Sequence, residues 1–333
     1  MTKPTVAVII PAYNASATLP ACLQAIGKMT WTPDEVILFS DGATDDTDDI
    51  ARRAGVSIIR NDGPPKGPAY GRNAAAQAAK SDLLLFVDAD VVISPTALEL
   101  LVDDMLQHGA KAAFGSYDDA PDSQRVTSLY ANLRHHFVHQ HSLREAKTFW
   151  SGLVVFDRGV FLAAGGFDAA LFAYPSIEDI ELGMRVVAAG HKIRLVPEAL
   201  AKHWKDWSLW RVWHTDVVRR AYPWACLLAE GRPTAGDLNI SNTERFKAVV
   251  AGIIPLCLLL AIAIPKLLIG AGIAALLYIW LNREFFGFLK RRLSFRRLLA
   301  AMAMHWCYHI YSTATFVFAT VQTKLGMRLA VFR

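Results

Sequence analysis

Five apolar residues, Leu83–Val87, run without a break into Asp88-Ala89-Asp90. A short apolar run free of glycine and proline reads as a strand buried on both faces. Residues two apart in an extended chain point to the same side, so Asp88 and Asp90 present their carboxylates together at the strand's carboxyl end. Open α/β sheets bind their ligands in the crevice beyond that end. Two hard oxygen donors there suit Mg2+ or Mn2+ bridging the phosphates of a nucleotide. An Asp-x-Asp pair is common by chance, so the reading rests on what surrounds it.

The surroundings alternate between two periodicities. Residues 5–10, 35–39, 56–59, 83–87, 152–156 and 192–196 read as strands, and residues 16–26, 44–54, 68–79, 95–107, 124–147 and 177–189 as helices. This spacing predicts an α/β domain with a Rossmann-like, mostly parallel sheet and helices on both faces. No Gly-x-Gly-x-x-Gly follows the first strand, which disfavours a dinucleotide-binding dehydrogenase. The acids Asp45, Asp46, Asp48 and Asp49 lack the spacing of a calcium loop and read as a solvated helix start. His135, His136, His139 and His141 sit in 124–147 with no cysteine or carboxylate at ligand spacing. They read as a polar helix rather than a metal site.

The 333 residues have a net charge of +5 that conceals a split. Residues 1–246 carry 24 Lys and Arg against 29 Asp and Glu, whereas residues 247–333 carry 11 against Glu284 alone. The basic quarter is interleaved with apolar runs, so membrane headgroups fit it better than nucleic acid. Residues 248–264 and 267–281 are uncharged and are separated by Pro265-Lys266, the pattern of a two-helix hairpin. Residues 298–322 form a third candidate span, with His305 and His309 among aromatics. The six basic residues in 283–297 belong on the cytosolic side by the positive-inside rule, which places the N-terminal domain there too. Just upstream, Trp207, Trp210, Trp213 and Trp224 alternate with Arg211, Arg219, Arg220 and Arg232. They read as helices lying in the membrane interface; a core helix under the catalytic domain is the alternative. Cys22, Cys226, Cys257 and Cys307 are scattered, which fits a reducing compartment. The N-terminal apolar stretch is too short for a signal peptide, so this part is expected to stay cytosolic. The expected division is 1–205 for the α/β domain, 206–246 for interface helices and 247–333 for a transmembrane region, in a bacterial-type inner membrane.

Five motifs follow one another in order. They are Val8-Ile9-Ile10-Pro11-Ala12-Tyr13-Asn14, Ser40-Asp41-Gly42-Ala43-Thr44-Asp45-Asp46-Thr47, Gly67-Pro68-Ala69-Tyr70-Gly71-Arg72-Asn73 before Asp88-Ala89-Asp90, Gly165-Gly166-Phe167-Asp168, and Glu178-Asp179-Ile180-Glu181-Leu182-Gly183-Met184-Arg185. Together they resemble the family 2 glycosyltransferases of the GT-A fold, over about residues 5–205. The resemblance implies that Pro11, Ala12 and Tyr13 form the nucleobase and ribose wall and that Asp41 accepts a hydrogen bond from the base. It places Arg72 near the base or diphosphate and Asp88 at the ribose and diphosphate. Asp90 becomes the main metal ligand, and Asp179 the general base with Glu178 beside it. Adjacent acids at a helix start raise one another's pKa toward a useful range. His203 is then either structural or a third ligand for Mg2+ or Mn2+. Arg220-Ala221-Tyr222-Pro223-Trp224 is similar to the (Gln/Arg)-x-x-Arg-Trp motif of processive members, but Pro223 stands where that motif has Arg. Arg220 and Trp224 are therefore assigned to the acceptor side, and polymer synthesis becomes the lesser alternative.

The activity implied is inverting, metal-dependent transfer of a hexose-type sugar from a UDP- or GDP-linked donor to a lipid or lipid-linked acceptor at the cytosolic membrane face. A non-catalytic membrane scaffold is disfavoured because Asp41, Asp88, Asp90 and Asp179 are all kept.

Overall fold

The computed structural model describes residues 3–230 and 242–327. Arg232 lies outside them, as does part of the stretch expected to hold interface helices. Among the described residues the strands are β1 (Val6–Ala12), β2 (Glu35–Asp41), β3 (Ser57–Asn61), β4 (Leu83–Val87), β5 (Val91–Ile93), β6 (Ala112–Tyr117), β7 (Glu145–Ala146), β8 (Leu153–Asp157) and β9 (Ile193–His203). The helices are α1 (Leu19–Ile26), α2 (Thr47–Arg53), α3 (Pro68–Ala78), α4 (Ala97–Gln107), α5 (Val126–His141), α6 (Arg158–Ala163), α7 (Glu178–Ala188), α8 (Leu209–His214), α9 (Tyr222–Ala229), α10 (Asn242–Leu260), α11 (Leu267–Leu281), α12 (Arg283–Lys290) and α13 (Phe295–Lys324), with a π-helical segment, Thr215–Ala221, between α8 and α9.

The chain divides into two compact units. The first holds residues up to 123 and 139–206, and the second holds 124–138 and 207–327.

In the first unit the strands form one sheet in the order β3-β2-β1-β4-β8-β6-β9-β5, with β7 also on β9. The expectation of a mostly parallel sheet is corrected to a mixed one. β3, β2, β1 and β4 are parallel, and so are β6 and β9. β8 runs antiparallel to both of its neighbours, and β5 and β7 run antiparallel to β9. Alternation of strand and helix reports a crossover but not an inserted antiparallel strand, which needs none. Successive residues of β1 face opposite sides of the sheet, as pleating requires. Val6, Val8 and Ile10 pack with Leu19, Leu98 and Leu101 of α1 and α4. Ala7 and Ile9 pack with Ala75, Phe161 and Leu182 of α3, α6 and α7. The alanines of α3 bring its backbone close to the sheet, and all of Ala69, Ala75 and Ala76 are buried.

Two further expectations need revision. The helix expected over 124–147 ends at His141, because Glu145 and Ala146 pair with Arg194 and Ile193 of β9. The strand expected to stop at residue 196 continues to His203, past Pro197 at a break in register between β6 and β9.

The second unit is helical. Its core joins Leu129, Tyr130 and Leu133 of α5 to Val250, Tyr278, Phe285, Phe288, Leu289 and Ala301. α10 and α11 pack against each other. Among the described residues no single helix is long and apolar enough to cross a membrane. α11 and α12, bent by 69° at their junction, have the length and composition only as a pair. Large apolar side chains nonetheless stand exposed along α10, α11 and α13, including Leu256, Leu259, Ile269, Ile273, Leu276 and Phe318.

Candidate active site

The carboxyl end of β4 delivers Asp88 and Asp90. The antiparallel pairing of β5 with β9 then sets Val91 opposite His203, which brings the imidazole beside Asp90. His203 Nε2 lies 3.1 Å from Asp90 Oδ1, and its Nδ1 lies 3.0 Å from the Tyr117 hydroxyl at the end of β6. One donor atom from each of Asp88, Asp90 and His203 lies within 4.8 Å of the other two. Two carboxylates and an imidazole whose second nitrogen is held from behind fit a divalent cation that prefers oxygen and tolerates one nitrogen. Lys205 Nζ lies 3.4 Å from Asp90 Oδ2. Burial pushes the Asp90 carboxyl up, but His203 and Lys205 outweigh it and hold it well below the usual carboxylate range.

Arg72, on α3, ties this cluster to a second one. The side chain is only 3% exposed. Its Nη2 donates to Asp88 Oδ1 at 2.6 Å and its Nη1 to Glu178 Oε1 at 3.0 Å. Burial opposes the guanidinium charge, and the Asp88 and Glu178 carboxylates more than restore it. Arg72 thus clamps two acids across the crevice floor rather than standing open to it. Glu178 is buried, and its other oxygen accepts from the Ser176 N–H at 2.8 Å. Both of its oxygens are engaged.

Asp179 differs from its neighbour. One carboxylate oxygen accepts from the Ser151 N–H at 3.1 Å and the other from the Ile180 N–H at 2.9 Å, and the side chain is partly exposed. Its pKa is pushed up to about 7, first by burial and then by the Glu178 carboxylate, against the Ser151 N–H and the Arg72 charge. A carboxylate in that range accepts a proton near neutral pH, as a general base must.

An aromatic pair not foreseen from sequence links the two clusters. Tyr117 stacks on Trp150 with ring centroids 4.2 Å apart, and Trp150 lies 5.8 Å from the His203 ring. Trp150 also precedes Ser151, whose N–H holds Asp179. The ring lies over the backbone of Gly152, where a Cβ would stand 2.5 Å from it. Only glycine fits there. The signal in sequence was the Trp-Ser-Gly run before β8, which carries no charge or metal-ligand spacing to mark it.

The donor-side residues line the ends of β1 and β2. Pro11 and Ala12 close β1, and Tyr13 beyond them is 56% exposed with its ring free to meet a flat partner. Asp41 closes β2. It is buried, and accepts from the Lys66 N–H at 2.9 Å, the Gly67 N–H at 2.8 Å and Asn61 Nδ2 at 2.9 Å. Its carboxylate therefore fixes the loop that opens α3. Gly67 has φ +88°, and a Cβ there would lie 2.1 Å from the Ala173 carbonyl oxygen. Both conditions demand glycine. The acids after β2 are engaged locally, Asp45 with Ser16 and Thr47 and Asp48 with Arg60.

Residues 7–165 match the family described as Glycosyl transferase family 2. Over these residues, slightly less than half of its length, the chain is similar to a family 2 glycosyltransferase domain. Among its relatives is glycosyltransferase GlyG of Streptococcus pneumoniae, 25% identical over 164 residues that cover 47% of this chain and 54% of that one. Another is the UDP-Glc:alpha-D-GlcNAc-diphosphoundecaprenol beta-1,3-glucosyltransferase WfgD of Escherichia coli, 28% identical over 116 residues, 34% of this chain and 46% of that one. The chain spans 30% to 62% of the length of the first curated relatives it matches. The fold is shared with the mannosyltransferase PcManGT of Pyrobaculum calidifontis, solved with GDP-Man and Mn2+. The TM-score is 0.57 at 18% identity, over 98% of this chain and 89% of that one.

The first unit supplies Asp88, Asp90, Asp179 and His203, of which Asp88 and Asp90 lie within the matched residues. Arg220 and Trp224, assigned from sequence to the acceptor side, belong to the second. Arg220 Nη1 donates to His135 Nε2 at 2.8 Å and lies 3.7 Å from Asp216. Trp224 is half-buried on α9. Of the α5 histidines, His136 stacks on Phe288, and His139 packs by Phe114, Tyr117 and Trp150.

Proposed function

We propose that this protein transfers a sugar from a UDP- or GDP-linked donor to a lipid or lipid-linked acceptor, with inversion, at the cytosolic face of a membrane. The observation that carries the reading is the continuity from Asp90 and His203 through Tyr117 and Trp150 to Asp179. It joins the three groups that would hold a cation to a carboxyl whose pKa is pushed up to about 7.

Asp88, Asp90 and His203 would hold a divalent cation whose charge neutralises the departing diphosphate. Asp179 accepts the proton of the acceptor hydroxyl. The freed oxygen attacks the anomeric carbon, the bond from that carbon to the phosphate oxygen breaks, and the electron pair leaves with the nucleoside diphosphate. A single displacement inverts the anomeric carbon. Arg72 keeps Asp88 and Glu178 in place while charge moves, and Lys205 adds a cation beside Asp90.

The membrane reading draws on the apolar side chains exposed along α10, α11 and α13 and on the basic residues between them. The diphosphoundecaprenol acceptor named for one relative and the GDP-Man named for the structural neighbour agree with a lipid-linked acceptor and a nucleotide-sugar donor.

Asp179→Asn is the direct test. Transfer to a membrane lipid extract should fall by about 10²–10⁴-fold. Binding of the nucleoside diphosphate with Mn2+, read by calorimetry, should stay near the native value. Undiminished transfer by the variant would remove the base from Asp179.

A further inference from the structure

Within the second unit, α8 and α13 enclose a groove of about 540 Å³. This lies within the range of ligand sites, roughly 300–1,000 Å³. Leu209, Trp210 and Trp213 line one side, and Met304, Cys307 and Tyr311 the other. The indoles of Trp210 and Trp213 stack at 4.9 Å, and Trp210 is 66% exposed. Apolar side chains of this size face water at a cost unless something covers them.

Charged groups lie behind Tyr311, at one end of the groove. The Tyr311 hydroxyl donates to Asp216 Oδ2 at 2.7 Å, and Arg134 pairs with both Asp216 oxygens at 2.9 and 3.1 Å. Arg220 lies 3.7 Å from the same carboxylate. Two guanidinium groups against one carboxylate leave a net positive charge behind Tyr311, and Arg211 stands on α8 beside the groove. An apolar trough that ends in excess positive charge complements an amphiphile with a hydrocarbon chain and an anionic head.

We propose that this groove binds the hydrocarbon chain of an anionic, phosphate-bearing lipid, its head turned toward the Tyr311 end.

Cys307 supplies the readout, because it lines the groove and is exposed. Cys22 and Cys226 are buried, so Cys257→Ser leaves Cys307 as the reactive thiol. The full chain in phosphatidylcholine nanodiscs is treated with N-ethylmaleimide, and alkylation of Cys307 is followed by mass spectrometry. A long-chain polyprenyl phosphate should slow the reaction about fivefold at a few multiples of its Kd. Inorganic phosphate should leave the rate unchanged. In Trp210→Ala/Trp213→Ala, whose fold is checked by the thermal shift with Mn2+ and nucleoside diphosphate, the protection should be lost. No slowing by polyprenyl phosphate would overturn the proposal. So would equal slowing by the neutral polyprenol, or slowing that tracks protein concentration and so marks a second copy of the chain. Sugar transfer to the same lipid, assayed in the same nanodiscs, separates the two readings. Transfer without protection removes the groove and leaves the function standing. Protection without transfer to any lipid leaves the groove and removes the function.

Discussion

Arg72 and Asp179 carry the sharpest consequences at the level of single residues. Arg72 pairs with the buried Glu178 and also holds Asp88. Removing one partner of a buried pair strands the other charge, at about 3–5 kcal/mol. Arg72→Ala should lower stability by that order in a urea titration, and a change below about 1 kcal/mol would contradict the clamp. Asp179 has the opposite character. Its folded pKa, about 7, exceeds the roughly 3.9 of an unfolded aspartate. The folded chain thus binds this proton more tightly than the unfolded chain. Its contribution to stability rises as pH falls through about 7, and above that pH the ionised group is a liability. Asp179→Asn should therefore raise Tm at pH 8, with the gain shrinking toward pH 5, while transfer is lost. For the native enzyme kcat/KM should rise with pH through about 7 as the base ionises. A profile flat from pH 5 to 8 would contradict that assignment. Asp88 and Asp90 were legible because two carboxylates close an apolar strand, and Asp179 through the ordered motifs it belongs to. Tyr117 and Trp150 were not, because an aromatic in an apolar run reads as core until its stacking partner is known.

Among the elements, β9 decides the site. Residues 192–196 were legible as a strand, but Pro197 marked an apparent end. Proline lacks an N–H for the ladder and is tolerated where pairing is already broken. The register between β6 and β9 does shift there, from Phe114 opposite Leu195 to Ser116 opposite Leu200. Beyond the shift, β9 pairs with β5 and so carries His203 to Asp90. β5 and β6 were themselves missed, because Val91–Ile93 is short and Ala112–Tyr117 owes its strand to burial between neighbours rather than to propensity. Ala201 sits between Ile93 and Tyr117 in this part of the sheet. Ala201→Pro should disturb both pairings and weaken Mn2+ binding at least about tenfold, the scale of a lost supporting contact around a metal ligand. Unchanged Mn2+ affinity would show that β9 does not position His203.

The whole molecule pairs a sheet unit, whose strand ends hold the acids, with a helical unit whose apolar side chains are exposed. The charge contrast between residues 1–246 and 247–333 was plain in the sequence, because composition reports solvent preference directly. How the helices divide was less so. Segment 124–138, part of a helix read as belonging to the first domain, packs instead with Phe285 and Phe288 in the second unit. If the exposed faces of α10, α11 and α13 meet lipid, the protein should remain in the membrane pellet after an alkaline carbonate wash; release into the supernatant would contradict membrane integration. Transfer by this chain depends above all on the cluster of Asp88, Asp90 and His203 under the proposed function. The measurement that tests it most directly is sugar transfer from UDP- and GDP-linked donors to a membrane lipid extract, first with EDTA and then with Mn2+ restored. EDTA should abolish transfer, and Mn2+ should return it in the native chain but not in Asp90→Ala. Full activity in EDTA, or full recovery by Asp90→Ala, would contradict that dependence.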